Sequence, residues 1–230
     1  AGVRQLAGLQ DNARAALDAA LPRRWWDLAL PLGADLAKYW LVQGVLGEGV
    51  ARLEQALSAA PPEDGELATW LGRGGALALY LGRADLARIW LHRGLAIARR
   101  LQRADVEGRT LNLLGMLARS DGDLAGAETF VEQAMQVWQG TGDRWAEAIA
   151  LNNLGSLAQE QGQVDRARQW LEQSLAAFRG VGVARGIGHA ALSLGDFEQL
   201  NGRPAVAQTH YESCRELLAG MDDAWSLAKV

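Results

Sequence analysis

Cysteine, lysine and long hydrophobic runs are scarce in this sequence. Its one cysteine, Cys214, excludes an internal disulfide, so nothing in the chain requires an oxidising compartment. Lysine occurs only at Lys38 and Lys229, and arginine therefore carries nearly all of the positive charge. The formal net charge of −4 is opposite to the basic excess of a nucleic-acid-binding surface. Because no apolar run approaches the roughly 18–20 residues that span a bilayer, we expect a cytoplasmic protein without direct nucleic-acid or membrane contact.

The usual signatures of an enzyme are also missing. The sequence has no GxxxxGK[ST] phosphate-binding loop. Its three histidines, His92, His189 and His210, form no HExxH motif and have no cysteine at metal-ligand spacing. Cys214 follows His210 by four residues, but it aligns with small residues in the repeats described below, which predicts a buried structural thiol. We therefore expect no catalytic residues, no metal and no cofactor.

What the sequence does contain is a period of 40 residues. The period is carried by two glycines seven residues apart and by an alanine five residues further on. The first glycines are Gly75, Gly115, Gly155 and Gly195; the second are Gly82, Gly122, Gly162 and Gly202; the alanines are Ala87, Ala127, Ala167 and Ala207. An earlier copy with Gly44, Gly49 and Leu53 is offset by 38 residues, and the segment PPEDG, Pro61 to Gly65, accounts for the difference. A period of this length is typical of repeat proteins.

Each repeat is predicted to form two helices. Residues 145–161 and 164–178 both place apolar or small side chains at the 3.6-residue spacing of an amphipathic helix. Gly162 separates them, at a position where glycine accepts the left-handed conformation that ends a helix. Small residues at Gly155 and Ala167 would let the two helices approach closely. Since strand-like alternation is absent, we predict an all-α solenoid of stacked antiparallel helix pairs, about five repeats preceded by an N-terminal helix.

The spacing of Leu-Gly, small and aliphatic residues resembles the tetratricopeptide (TPR) repeat, although the usual TPR unit has about 34 residues. The stretch GDRWAEAIALNNLGSLAQEQGQVDRARQWLEQSLAAFR is similar to the long-unit TPR arrays of bacterial STAND-class signalling ATPases, including LuxR-type (MalT-like) transcription regulators. Residues 9–21 resemble a segment that precedes the repeats in those proteins. The resemblance implies a right-handed superhelix that binds an inducer or partner and transmits this event to an ATPase core outside the chain. A static adaptor that only holds a protein partner is the alternative.

The sequence is predicted to consist of an N-terminal helical connector followed by the array of repeats. Residues 1–22 form the connector and residues 23–230 the array, with repeats at about 25–62, 65–102, 105–141, 144–181 and 184–221. Residues 222–230 begin a truncated further repeat, because MDDAWSLAKV aligns with TGDRWAEAIA. The chain also begins with alanine, without the hydrophobic segment of a signal peptide. We therefore expect a piece of a longer protein, with adjoining domains as partners and possible self-association through exposed ends.

The TPR resemblance implies that the first helix of each repeat lines a concave groove, which would bind a protein, a peptide or a small-molecule inducer. Two asparagines share a column there, and their amides would pair with a peptide backbone or, alternatively, bond within the protein. Two arginines would favour an acidic or carboxylate ligand, with solvated arginine as the alternative. The candidate binding residues are Tyr80, Arg109, Asn112, Met116, Arg119, Ile149, Asn152, Ser156, Gln159, His189, Asp196 and Gln199.

Aromatic residues concentrate toward the N-terminal third of the chain. They could line a pocket for a small molecule, since ligand sites are mostly apolar with a few polar groups. Packing in the core or at the end of the array is the competing interpretation, and the one that aromatic stripes usually support. The residues concerned are Trp25, Trp26, Tyr39, Trp40, Trp70 and Tyr80.

Overall fold

A computed structural model describes residues 2–218 of the chain and the side chains of residues 11–217. This part of the chain is helical and contains no strand, so the predicted all-α class is confirmed. The predicted truncated repeat at residues 222–230 lies outside the described residues. The helices are α1 (Gly2–Arg23), α2 (Trp26–Gln43), α3 (Leu46–Ser58), α4 (Gly65–Tyr80), α5 (Ala84–Arg100), α6 (Ala104–Ser120), α7 (Leu124–Thr141), α8 (Arg144–Glu160), α9 (Val164–Val181), α10 (Ala184–Leu200) and α11 (Pro204–Leu218).

The chain divides into two compact units, Ala1–Leu117 and Ala118–Val230, with the boundary inside α6. In the first unit α2 packs against α1, α3 and α4, and α4 packs against α3 and α5. In the second unit α8 packs against α7 and α9, and α10 packs against α9 and α11. Within each unit, the helices named here that follow one another in sequence are therefore neighbours in space, as short connections require. None of the helices in the described residues is both long enough and apolar enough to cross a membrane.

The turn inside each helix pair depends on glycine. Gly82, Gly122, Gly162 and Gly202 have φ values of 78°, 82°, 75° and 73°, in the left-handed region that side chains other than glycine rarely adopt. After α8, the amide of Gly162 donates to the carbonyl oxygen of Gln159 at 3.0 Å, and the amide of Gln163 donates to that of Ala158 at 2.8 Å. These bonds satisfy the last carbonyl groups of the helix. The repeated glycine therefore ends the first helix where the sequence predicts it.

The first glycine of the repeat lies where the two helices of a pair touch. A Cβ atom built on Gly155 would lie 2.6 Å from Cγ of Leu171 in α9, and one on Gly75 would lie 2.6 Å from Cγ of Leu91 in α5. One on Gly195 would lie 2.5 Å from Cε1 of Tyr211 in α11. Any side chain here would collide with the second helix of the pair. The close approach predicted from small residues is therefore present.

The N-terminal aromatic residues have different environments. Trp40 and Trp70 are fully buried, and the Trp70 ring covers Gly33, because a Cβ on that glycine would lie 2.5 Å from the ring. Trp25 and Tyr80 are instead 54% and 58% exposed. For Trp40 and Trp70 the packing interpretation is correct, since both fill the core of the first unit.

The PPEDG segment is fixed at both of its acidic residues. Oδ1 of Asp64 accepts a hydrogen bond from the amide of Leu67 at 2.8 Å, which caps the N-terminus of α4. Glu63 forms ion pairs with Arg93 at 3.2 Å and with Arg100 at 3.1 Å on α5. The hydrogen bond from Arg100 is the main reason that the pKa of Glu63 lies below its usual value. The additional residues between the first helix pair (α2 and α3) and the second (α4 and α5) are thus part of the ordered packing.

Candidate functional site

One row of side chains on each of α6, α8 and α10 is open to solvent along the whole helix. Its members are separated by four, three and four residues, so they lie on one side of the helix. We call these rows the open stripes. They comprise residues 109, 113, 116 and 120 on α6; 149, 153, 156 and 160 on α8; and 189, 193, 196 and 200 on α10, all of which are exposed or half-buried. Six of the predicted site residues belong to them: Arg109, Met116, Ile149, Ser156, His189 and Asp196.

The predicted asparagine column lies one residue away from the open stripes. Asn152 is only 6% exposed, and its Oδ1 atom accepts no hydrogen bond. Asn112, at the equivalent position of α6, is half-buried. The residue on the open stripe of α8 is Asn153, which is not among the predicted site residues. The burial of Ala146, Ala150 and Leu157 shows which side of α8 faces the core, and the shift of one residue follows from it.

The two predicted arginines differ in their electrostatic environment. Arg119 forms an ion pair with Glu160 on α8, so part of its charge is already balanced within the protein. Arg109 is exposed, and its charge contributes to a pKa of Asp105 below the usual value, a shift caused mainly by the hydrogen bond from Arg103. Arg109 is therefore better suited than Arg119 to contact a carboxylate of a ligand.

The open stripe of α10 contains a carboxylate that is held in place. Oδ1 of Asp196 accepts a hydrogen bond from the hydroxyl of Tyr211 on α11 at 3.0 Å. Burial is the main cause of a raised pKa of Tyr211, and this hydrogen bond raises the pKa further. On α8, the hydroxyl of Ser156 donates to the carbonyl oxygen of Asn152 at 3.1 Å. Gln159 and Gln199 flank the stripes, the first half-buried and the second exposed.

The first unit has a corresponding surface on α2 and α4, where Tyr80 is among the predicted site residues. The two helices run side by side, because Trp70 covers Gly33 and Nη1 of Arg73 bonds to Oδ1 of Asp35 at 3.0 Å. Nη1 of Arg73 also donates to the carbonyl oxygen of Ala34 at 2.7 Å. Lys38 and Val42 on α2 and Tyr80 on α4 are exposed.

Comparisons with known proteins agree with this geometry. Residues 106–180 match the tetratricopeptide repeat family. BtubC (BKLC) from P. vanneervenii superimposes with a TM-score of 0.74 at 19% identity, over 93% of this chain and 91% of that chain. The fold is TPR-like. No curated protein matches the sequence.

Two further TPR-like structures are similar to the chain. A putative kinesin light chain from Podosopora anserina with nearly identical TPR-like repeats superimposes with a TM-score of 0.65 at 19% identity, covering 84% of this chain and 95% of that one. A Rap protein complexed with Competence and Sporulation Factor gives a TM-score of 0.77 at 15% identity, over 88% of this chain. This chain covers 56% of the Rap structure. At these identities, the likeness establishes the fold.

The TPR-like pairs carry little chemistry suited to catalysis in the described residues. No group of three or more histidine, cysteine, aspartate or glutamate side chains there could hold a metal ion. Cys214 is fully buried, and burial is the main reason that the pKa of its thiol is raised. A buried thiol with a raised pKa is a poor nucleophile. The surface is suited to binding through hydrogen bonds, apolar contacts and a few charges.

His210 makes the stability of the last TPR-like pair dependent on pH. Its pKa lies below the ordinary 6.5, mainly because of burial; Arg179 lowers it further, whereas Glu198 and Glu172 raise it. Since the unfolded chain then binds a proton more readily, the contribution of His210 is complete above pH 6.5 and is lost as the pH falls through the lowered value. We expect His210→Phe, which introduces the residue found at the equivalent Phe130, to weaken this dependence.

Urea unfolding at pH 7.5, 6.5, 5.5 and 5.0 measures the effect. The control is His92→Gln, because His92 is exposed on α5. The interpretation is wrong if His210→Phe and the wild type lose the same stability between pH 7.5 and 5.0.

Proposed function

We propose that this protein is a non-catalytic binding module that takes a peptide or an extended protein segment along the open stripes of its first helices. The observation that carries the proposal is the row of accessible side chains that recurs at the same positions of α8 and α10. Two structural neighbours are Rap proteins in complex with Competence and Sporulation Factor and with the Phr* peptide, which supports a peptide as the ligand. A TPR-like scaffold offers a preformed surface for such a segment.

The second unit supplies mixed chemistry for this purpose. Asn153, Ser193 and Asp196 carry groups that can bond to the N–H and C=O groups of an extended backbone, and Ile149 offers an apolar contact. Binding of this kind recognises the backbone of the ligand more than its side chains.

The first unit, taken by itself, offers positive charge on its exposed surface. Lys38 and Arg109 are both exposed on first helices, and Val42, Tyr80 and Met116 provide apolar contacts. A ligand with an acidic side chain or a free carboxylate would complement the two cations.

The finer proposal is a sensor region of a STAND-class transcription regulator. The support for it is the resemblance of the long repeat to those arrays, together with a surface suited to binding. A ligand in contact with several repeats would favour the shape of the array to which it binds most tightly. It can shift an on/off equilibrium only by its difference in affinity for the two shapes. If the ligand alters neither the ATPase activity nor the assembly of a parent protein, the static scaffold is the better account.

Panning a random 12-residue peptide library against the protein tests the binding proposal. We expect the enriched peptides to lose at least tenfold in affinity when Ser156→Tyr fills the open stripe of α8. The matched control is Gln173→Tyr, which adds the same ring at an exposed position of α9. Failure to enrich any peptide, or equal affinities for the two variants, would show that the open stripe is not the binding surface.

A further inference from the structure

The fifth helix pair, α10 and α11, carries a charge where the second, third and fourth pairs have a methyl group. Position 198 on α10 is glutamate, whereas the equivalent positions 40 residues apart are Ala78, Ala118 and Ala158. Glu198 is only 3% exposed. A buried carboxylate is costly unless it is paired, so a glutamate at a position that otherwise holds alanine requires an explanation.

Arg168 forms a hydrogen bond to the Glu198 carboxylate, and Arg203 forms an ion pair with its other oxygen, Oε2, which accepts no hydrogen bond. Nε of Arg168 on α9 donates to Oε1 at 3.0 Å, and Nη1 of Arg203, just before α11, lies 3.3 Å from Oε2. The Arg168 guanidinium also lies 5.2 Å from the ring centroid of Phe197. The backbone amide of Arg203 donates to the carbonyl oxygen of Glu198 at 2.9 Å. The carboxylate therefore joins α9 of the fourth pair to both helices of the fifth.

At the contact between the third and fourth helix pairs, the equivalent position carries a charge of the opposite sign. Glu128 on α7 is equivalent to Arg168 on α9, 40 residues later. Its Oε1 lies 2.6 Å from Nη2 of Arg166 on α9, and its Oε2 accepts a hydrogen bond from Gln161 at 3.2 Å. Glu128 on α7, in the third pair, thus contacts a basic residue of the fourth pair. Arg168 on α9, in the fourth pair, instead contacts an acidic residue of the fifth pair.

Within one chain the short connection already places α10 beside α9, so this reversal acts against the exchange of helix pairs between molecules. If the fifth pair stacked on α7, Glu128 would face the buried Glu198. If a copy of the fourth pair stacked on α9, Arg168 would face Arg166. Like charges brought together here are unfavourable, most of all at the buried Glu198, whereas a correctly made buried ion pair adds little net stability over an apolar contact.

We propose that the Arg168–Glu198–Arg203 triad is a polarity key that specifies α10 and α11 as the pair that stacks on α9. The helix pairs have similar shapes, because they are repeats of one sequence pattern. The polarity key distinguishes among them by charge. It selects the order of stacking more than it strengthens the stack, as has been found for other buried polar groups that fix register. This inference does not depend on any ligand.

Charge reversal provides the first test. Arg168→Glu would place a carboxylate against Glu198, and we expect the folding equilibrium constant of the second unit to fall about a hundredfold or more. Adding Glu198→Ala recreates the Glu128 and Ala158 combination of the preceding joint, and we expect it to restore stability to within about threefold of the wild type. Gln169→Glu, at the next and exposed residue of α9, is the control and should change stability by less than about threefold. The proposal is overturned if Glu198→Ala does not rescue Arg168→Glu.

A variant without the charges of Arg168 and Glu198 distinguishes a role in selecting the partner helix pair from a role in stability alone. The double variant Arg168→Met with Glu198→Ala has no charge at either position. We expect it to unfold in urea at a concentration close to that of the wild type, and to form larger assemblies as its concentration rises in light scattering. If it is much less stable, the triad is an ordinary stabilising contact; if it is equally stable and its assembly state matches the wild type at every concentration, the triad selects nothing. Either result overturns the proposal.

Discussion

Replacing Trp70 by alanine is expected to lower the free energy of unfolding of the first unit by about 3–5 kcal/mol. The side chain is fully buried, and its ring lies against the backbone of α2 at Gly33. Removing the ring leaves a cavity between α2 and α4, and the glycine has no side chain that could fill it. Since folded domains are stable by only about 5–15 kcal/mol, this single change removes about a fifth or more of the total stability.

Trp25 provides the matched control. It is 54% exposed, and its principal contact is the guanidinium of Arg23 at 5.4 Å from the ring centroid. A cation–π contact at an exposed site contributes about 0.5–1 kcal/mol, so Trp25→Ala should lose about 1 kcal/mol or less. Urea unfolding followed by circular dichroism at 222 nm compares the two variants. Equal losses would mean that the packing of Trp70 on Gly33 is not what holds α2 to α4.

Replacing Gly155 by alanine is expected to destabilise the second unit by about 1–3 kcal/mol. Alanine favours helix by about 1 kcal/mol over glycine, so intrinsic preference alone predicts a gain. The added methyl group, however, would lie 2.6 Å from Cγ and 3.2 Å from the backbone nitrogen of Leu171. A leucine side chain can rotate, but the backbone of α9 can only move away, which weakens the contact between α8 and α9 along its length. We therefore expect the clash to outweigh the preference.

The same substitution at Gly180 should have the opposite sign. Gly180 lies within α9, and a Cβ there would meet nothing within 4 Å. Gly180→Ala is therefore expected to stabilise the protein by about 0.5–1 kcal/mol, because alanine loses less backbone entropy on folding. Thermal unfolding of the two variants beside the wild type measures both effects. A gain in stability for Gly155→Ala would show that the two helices of a pair are not held at contact distance.

Most of the fold follows from local features of the sequence. The second glycine of each repeat predicts the end of the first helix because it alone accepts the left-handed conformation without strain, as Gly162 shows. The first glycine predicts a close contact, and the structure identifies the opposing residue as Leu171. Both features are local, so the 40-residue spacing is enough to locate them.

The candidate site follows from the sequence less completely. The helical period predicts that residues on one side of α8 share a surface, but it does not show which side faces solvent. That choice depends on where α7, α9 and α10 pack, and it moves the open position from Asn152 to Asn153. The pairing of Arg119 with Glu160 and of Asp196 with Tyr211 joins residues on different helices, which no spacing along one helix can predict.

The sequence by itself determined that this protein is a set of helix pairs, because glycine position and apolar period act within one or two turns of helix. Only the tertiary structure decided which side of each first helix stays open and which charges meet between pairs. Glu198 illustrates the reason. The sequence shows that glutamate replaces alanine here, but the two partners of Glu198 come from α9 and from the residue just before α11, and packing alone brings them to one carboxylate.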